Sequence, residues 1–212
     1  WTDFGISLCL GAEADRPISS RLQMFLPDNL RQAMNHATVH GVGEIPVRKL
    51  VKSETEILPS MKDGVEESGA FPLTPMQTAL VLLALVVLCS WWEWKHCRVW
   101  WGVDVLLFLV QGLAGCLIAF LFFFSVHPTV GSNWMLVLFN PLPLCYLPIM
   151  VYKAVKRKKD FYHALNVVYL TLFIIAMPFI PQYFNATVLP LTLSLLVCSA
   201  GHLFLYRSKR FK

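Results

Sequence analysis

The stretch "GVDVLLFLVQGLAGCLIAFLFFFSV", residues 102–126, decides the fold class of this 212-residue chain. It contains a single charged residue, Asp104, and a membrane-spanning helix needs about 20 mostly apolar residues. Four other runs have the same character. The sequence therefore predicts an α-helical polytopic membrane protein with five transmembrane helices, at about 73–92, 102–126, 134–152, 162–182 and 186–206.

Basic residues occur only in alternate connections between these spans, and this pattern predicts their orientation. The connections 127–133 and 183–185 contain no Lys or Arg. The first connection, the third connection and the tail 207–212 contain Lys95, Arg98, Lys153, Lys156, Arg157, Lys158, Lys159, Arg207, Lys209, Arg210 and Lys212. Because positive loops stay in the cytoplasm, we predict a multi-pass protein of the bacterial inner (cytoplasmic) membrane. Residues 1–72 would be periplasmic and the tail cytoplasmic.

Charge and composition disfavour several functions. Residues 1–70 contain 7 Lys or Arg against 10 Asp or Glu, so the polar region lacks the basic face that nucleic-acid binding needs. We expect membrane lipids as partners and no nucleic acid. A transporter or channel is disfavoured, since we expect nothing ionisable in mid-membrane apart from two histidines near span ends, His163 and His202. We assign Asp104 to the interface, at a helix N-terminus.

No cofactor or metal is predicted. The six cysteines are scattered, without metal-like spacing. His36 and His40 are four residues apart, but no further ligand lies near them in the sequence, and a zinc site needs three or four.

Residues 1–58 read as a small, mostly helical remnant of a periplasmic α+β domain, followed by a polar linker at 59–72. We expect a helix near 1–10, with Thr2 or Asp3 as N-cap and Gly11 as C-cap, and two helical segments separated at Pro27, with Asp28 as the second N-cap. Residues 46–58 predict a strand whose partner lies outside this chain. The chain starts without methionine, so we expect it to be part of a longer protein.

The stretch "HPTVGSNWMLVLFNPLPL", residues 127–144, is unusually polar and proline-rich for the start of a span. Asn140 and Pro141 form a good helix start, yet a helix over 141–153 is only roughly 20 Å long and cannot cross a bilayer core. Either the helix begins near Asn133 and kinks at Pro141, or residues 134–139 form a separate interfacial piece.

Candidate substrate-facing residues come from this stretch and from the loop after Gly11, "GAEADR". Both lie on the predicted periplasmic side, and a purely structural role is the alternative for each residue. The candidates are His127, Asn133, Trp134, Asn140, Asp15 and Arg16.

Four motifs resemble bacterial envelope proteins that contain the Lnb N-terminal periplasmic domain: W-T-D-F-G-I, L-G-x-x-A-D-R, Q-M-F-L-P-D and H-P-x-x-x-x-N-W. Lnb is a lipoprotein intramolecular acyltransferase. The resemblance implies transfer of a fatty acyl chain from the diacylglyceryl group of a lipoprotein to the amino group of its N-terminal cysteine. It also implies catalysis by a Cys–His pair.

The Gly-His and Asp-Asn-Cys motifs that we associate with that pair have no counterpart here. Gly201-His202 falls on the predicted cytoplasmic side, and no Asp-Asn precedes Cys9. We therefore assign no catalytic residue, expect the active-site motifs upstream, and predict that this chain alone is inactive.

Two functions remain from the sequence. In the first, the chain is the membrane-anchoring C-terminal portion of a periplasmic Cys–His acyltransferase-like protein that acts on lipoprotein or lipid acyl chains at the outer leaflet. In the second, it is a non-enzymatic membrane scaffold for a periplasmic interaction domain. Lipoproteins are expected partners only under the first.

Overall fold

A computed structural model describes residues 1–40, 47–55, 57 and 71–207. Most of the predicted linker 59–72, and the tail after Arg207, lie outside the described residues. The chain divides into two compact units. One contains Trp1–Asp15 and Phe71–Lys212, and the other contains Arg16–Ala70.

The described helices and strands follow one another in this order: α1 (Thr2–Cys9), α2 (Ser20–Gln23), α3 (Pro27–His36), β1 (Thr38–Val39), β2 (Arg48–Lys49), α4 (Pro75–His96), α5 (Trp101–Phe124), α6 (Met135–Leu138), α7 (Leu142–Val155), α8 (Phe161–Ala176) and α9 (Val188–Arg207). Single 3-10 turns lie at Ala12–Asp15, Pro128–Val130 and Met177–Phe179.

The small unit contains α2, α3 and an antiparallel strand pair. Strand β2 falls within the predicted 46–58, but the expectation that its partner lies outside the chain is wrong. It pairs with β1, where Thr38 is opposite Lys49. The partner was missed because two residues are too short to show an alternating pattern.

The predicted helices near the N-terminus exist, but their caps differ from those expected. Helix α1 has Trp1 as N-cap and Leu10 as C-cap, so Gly11 lies beyond the helix. Helix α3 starts at Pro27 with Leu26 as N-cap, since the fixed φ and missing N–H of proline suit the first helical position.

Five helical segments of the larger unit are long and apolar enough to cross a membrane, which confirms the predicted fold class. They are Pro75–His96, Trp101–Phe124, Met135–Val155, Phe161–Phe179 and Val188–Arg207. Helix α9 is the most enclosed, with 50% of its most apolar window buried against 11% for α4. It packs against α4 and α8, while α5 packs against α7.

Small residues let α5 approach α7 closely, as membrane helices often do. A Cβ atom added at Gly112 would meet the side chain of Leu144, and one added at Gly115 would meet the backbone of Asn140. Cys116 is four residues after Gly112, at helical spacing on α5, but it is exposed.

The third span is interrupted between α6 and α7, and nearby side chains bind the main-chain groups that the interruption frees. Pro141 has no N–H, and Leu142 N–H donates to Asn140 Oδ1 at 3.2 Å instead of to a carbonyl of α6. The two freed carbonyls accept side-chain donors: Asn140 Nδ2 reaches Val137 O at 3.3 Å and Gln111 Nε2 reaches Leu138 O at 2.8 Å. Helix α7 therefore begins one residue later than Asn140-Pro141 predicts, with Pro141 instead of Asn140 as its N-cap, although the side chain of Asn140 still binds the first N–H of the helix.

The basic connections meet at one end of the bundle. Arg98 and Val99, between α4 and α5, line a depression together with Val155 and Arg157, which follow the third span. Near the end of α9, Tyr206 packs in a cluster that also includes Val99. The connections without Lys or Arg therefore lie at the opposite end, since each span crosses the bundle once.

Candidate functional site

At the end opposite the basic connections, the N-terminal segment is hydrogen-bonded to two loops of the bundle. We call this contact the N-terminal junction and define it by residues 8–13, 129–134 and Gln182. Gly11 N–H donates to Thr129 O at 2.7 Å and Ala12 N–H to Ser132 O at 3.3 Å. Glu13 N–H donates to Ser132 Oγ at 3.2 Å. Main-chain bonds of this kind fix the register between the two segments.

Gly11 makes the junction sterically feasible. A Cβ atom at this position would lie 2.6 Å from Ser132 C and 2.7 Å from Asn133 N. Both contacts are with backbone, which cannot rotate away as a side-chain end can. The loop after α1 therefore approaches 129–134 this closely only because it carries no side chain at Gly11.

Two buried carboxamides complete the junction. Asn133 Nδ2 donates to Leu8 O at 2.7 Å, and Asn133 Oδ1 accepts from Met135 N–H at 2.9 Å and Gln182 Nε2 at 3.0 Å. Gln182 Nε2 also donates to Leu10 O at 3.2 Å, while its Oε1 accepts from Trp134 N–H at 2.8 Å. A carboxamide can both donate and accept, so this pair binds main-chain groups of two segments, residues 8–10 and 134–135, while Gln182 itself comes from a third.

The structure brings several of the predicted candidates to this region. Asn133 and Trp134 belong to the junction, and exposed Asp15 accepts from Tyr183 N–H through Oδ2 at 2.6 Å. His127 Nδ1 lies 2.7 Å from Thr129 Oγ1, beside the carbonyl that binds Gly11. Asn140 lies apart, at the interruption of the third span. Their substrate-facing role stays a prediction.

Arg16 is exposed and belongs to the other compact unit. Gln182 was not predicted. Its only sequence signal is a polar residue in the connection after α8, where a glutamine next to Pro181 is unremarkable.

An apolar groove of about 340 Å³ adjoins the junction. It runs between Phe122 of α5 and the segment that holds Trp134, Leu136 and Val137. Trp134 is 47% exposed, a position typical of an interfacial tryptophan. The groove thus lies beside residues Ser132 and Asn133, which bind the N-terminal segment.

A second polar cluster lies at the basic end of the bundle. It includes Asp104, which lies in the first turn of α5 as expected, but its side chain is 3% exposed and is hydrogen-bonded to α9. His202 Nε2 lies 3.0 Å from both carboxylate oxygens, and Cys198 Sγ donates to Oδ1 at 3.1 Å. We call Asp104, Cys198 and His202 the inner cluster.

The surroundings of the inner cluster are also polar. His163 of α8 stacks on His202 with ring centroids 4.0 Å apart. Glu93 of α4 is buried and accepts from Trp100 N–H, close enough to Asp104 and His202 for their charges to interact. The spacing of Cys198 and His202, four residues apart on a helix, was the one sequence signal for this cluster. Its partner Asp104 is 94 residues from Cys198 and gave none.

Asp160, just outside the spans, ties the start of α8 to α7. It accepts from Tyr146 Oη at 2.7 Å, Lys153 Nζ at 3.1 Å and Tyr162 N–H at 3.0 Å. Burial alone would raise the pKa of this carboxyl, but the three donors together hold the pKa below its ordinary value. The carboxylate therefore stays charged at neutral pH as the cap of α8.

Cys9 is the one cysteine beside the junction, and it shows no sign of activation. Burial raises the pKa of its thiol, whereas a nucleophilic cysteine needs a lowered one.

The fold and these contacts define a five-helix polytopic membrane domain with an N-terminal segment docked on one end. A family model, described as the Lnb transmembrane domain, matches residues 66–209. The chain belongs to this family. No curated protein and no solved structure matches the chain.

The junction predicts that Gly11→Ala lowers stability. The added methyl group would collide with backbone, and overpacking of this kind costs typically about 1–3 kcal/mol. Thermal unfolding of the purified protein in detergent measures the effect. The matched control is Gly5→Ala in α1, where a Cβ atom meets nothing within 4 Å; it should leave stability equal or slightly higher. Equal midpoints for Gly11→Ala and the unsubstituted protein would contradict the close approach.

Proposed function

We propose that this chain is the membrane domain of an envelope acyltransferase, and that it holds a periplasmic catalytic domain at the outer leaflet. Membership of the Lnb transmembrane domain family supports the anchoring role. The observation that carries the proposal is the N-terminal junction, because it fixes the segment Trp1–Asp15 to the bundle within one compact unit.

The chemistry explains why such an anchor needs to be rigid. A thiolate activated by histidine can accept an acyl group and pass it to an amine, and the donor here would be a lipoprotein or another lipid whose acyl chains lie in the bilayer. Catalysis requires reacting groups within roughly 3–3.5 Å of each other. A flexible tether would leave the catalytic domain free to tilt away from the leaflet, whereas the main-chain bonds at Gly11 and Ala12 would restrict it.

We assign the catalytic Cys–His pair to the periplasmic domain and no catalytic role to the described residues of this chain. The junction residues Asn133 and Gln182 act in this proposal as positioning residues, since their carboxamides bind the main chain of residues 8–10. The adjoining groove at Trp134 would lie beside the acyl chains of the bound lipid.

The proposed location is the bacterial inner membrane, with the junction on the periplasmic side. The support is the charge distribution: the basic connections meet at one end of the bundle, and cytoplasmic loops carry the excess of Lys and Arg. The junction at the opposite end would then face the periplasm, where lipoproteins are acylated.

Reporter fusions test this orientation. Fusions after Arg98, Lys158 and Lys212 should give cytoplasmic signals, because each follows or interrupts a basic region. A fusion after Gly131, in the connection without Lys or Arg, serves as the opposite control and should give a periplasmic signal. A periplasmic signal at any of the first three positions would overturn the orientation.

Lipoprotein acylation by the full-length protein tests the function. Asn133→Ala removes the carboxamide that binds Leu8 O, so the acylated fraction of lipoprotein N-terminal cysteines, measured by mass spectrometry, should fall several-fold at equal membrane abundance. Asn185→Ala is the matched control, because Asn185 at the same end bonds locally to Thr187 N–H; it should leave acylation unchanged.

The outcomes separate the two functions. Unchanged acylation in Asn133→Ala would refute the positioning role of the junction. A full-length protein without any acylation activity would refute the enzyme and favour the scaffold for a periplasmic interaction domain.

A further inference from the structure

We propose that the inner cluster of Asp104, Cys198 and His202 is a binding site for Zn²⁺. This inference is independent of the proposed acyltransferase. It rests on three ligand types, a carboxylate, a thiol and an imidazole, that converge from α5 and α9. Their ligand atoms all lie within 4.8 Å of one another.

The ligand atoms lie near the separations that a zinc ion requires. Zinc binds carboxylate oxygen and imidazole nitrogen at about 2.0–2.2 Å and thiolate sulfur at about 2.3 Å, so neighbouring ligand atoms of a tetrahedral site are roughly 3.3–3.6 Å apart. Here His202 Nε2 and Cys198 Sγ lie 3.0 Å and 3.1 Å from Asp104 Oδ1. An outward shift of about half an ångström would seat the ion.

The burial of the cluster also points to a cation. Asp104 is 3% exposed and His202 1% exposed, within spans that lie in a membrane. A charged side chain in that setting is costly unless it is paired. Zn²⁺ bound by the Asp104 carboxylate and the Cys198 thiolate gives a site of zero net charge, which suits the low-dielectric interior.

The cluster lies close to one end of the bundle. Asp104 is in the first turn of α5 and His202 is near the end of α9, so the cluster lies toward the basic end of the bundle rather than at mid-membrane. With three protein ligands, zinc normally takes water as the fourth. Among the described residues, other titratable groups that interact with the cluster are Glu93, His163, Cys89, Tyr206 and Asp160.

Binding releases a proton. When Zn²⁺ binds the thiol form of Cys198 and neutral His202, the S–H bond breaks, Zn–S, Zn–N and Zn–O bonds form, and one proton leaves to solvent. The imidazole hydrogen moves from Nε2 to Nδ1. Among the described residues, Nδ1 has no hydrogen-bond partner that this change would disrupt.

Titration of the metal-stripped, purified full-length protein with Zn²⁺ in detergent tests the site. We expect one equivalent to bind, with an affinity that falls about tenfold for each unit of pH decrease while Cys198 is a thiol, because one proton competes with the metal. Co²⁺ as a spectroscopic probe should give a sulfur-to-metal charge-transfer band.

Substitutions locate the binding. Cys198→Ser should abolish the charge-transfer band and weaken Zn²⁺ binding at least about tenfold, and His202→Gln should weaken binding similarly. Cys116→Ser, at an exposed position of α5, is the matched control and should retain both. Thermal unfolding of each variant without metal shows whether it is folded.

Two results would overturn the proposal. In the first, the folded protein binds no stoichiometric Zn²⁺, and the inner cluster is a hydrogen-bonded tie between α5 and α9. In the second, binding and the charge-transfer band survive in Cys198→Ser, and the metal is held elsewhere.

Discussion

The membrane unit depends on one constraint: the main-chain groups freed at the interruption of the third span must be hydrogen-bonded. Lipid supplies neither donors nor acceptors, so these groups need protein partners. Gln111 reaches across from α5 to Leu138 O at 2.8 Å, and the side chain of Asn140 binds Val137 O and Leu142 N–H. Gly115 lets α5 come close enough for Gln111 to do so. The interruption and the α5–α7 contact therefore require each other.

The same requirement extends to the N-terminal segment. The polar stretch before α6 has main-chain groups at Thr129, Ser132 and Trp134 that need partners at the membrane surface. Residues 8–13 and Gln182 provide those partners. The carboxamide of Asn133 in turn binds the end of α1. The polar stretch before α6 thus binds the N-terminal segment. This binding explains why Trp1–Asp15 belongs to the membrane unit.

The sequence predicted those features of the fold that depend on a single segment of the chain. Length and hydropathy located all five spans, and Asn140-Pro141 revealed the interruption because proline acts locally. Partners from elsewhere in the chain were not predictable: Gln111 and Gln182 look like ordinary polar residues until the fold places them beside free main-chain groups. The partners of Asp104 were missed for the same reason, since a carboxylate in a first helical turn gives no sign that His202 faces it. Asn133 and Trp134 were named as substrate-facing candidates, but their hydrogen bonds to Leu8 and Gln182 were not predicted.

Amide hydrogen exchange at Gly11 and Ala12, in the full-length protein in lipid nanodiscs, tests most directly whether the N-terminal segment is part of the membrane unit. The main-chain bonds to Thr129 O and Ser132 O at 2.7 Å and 3.3 Å predict exchange that is slowed to the range of the transmembrane helices. Exchange of both amides at the rate of an unstructured chain would contradict the junction, and with it the account of this domain as a rigid anchor.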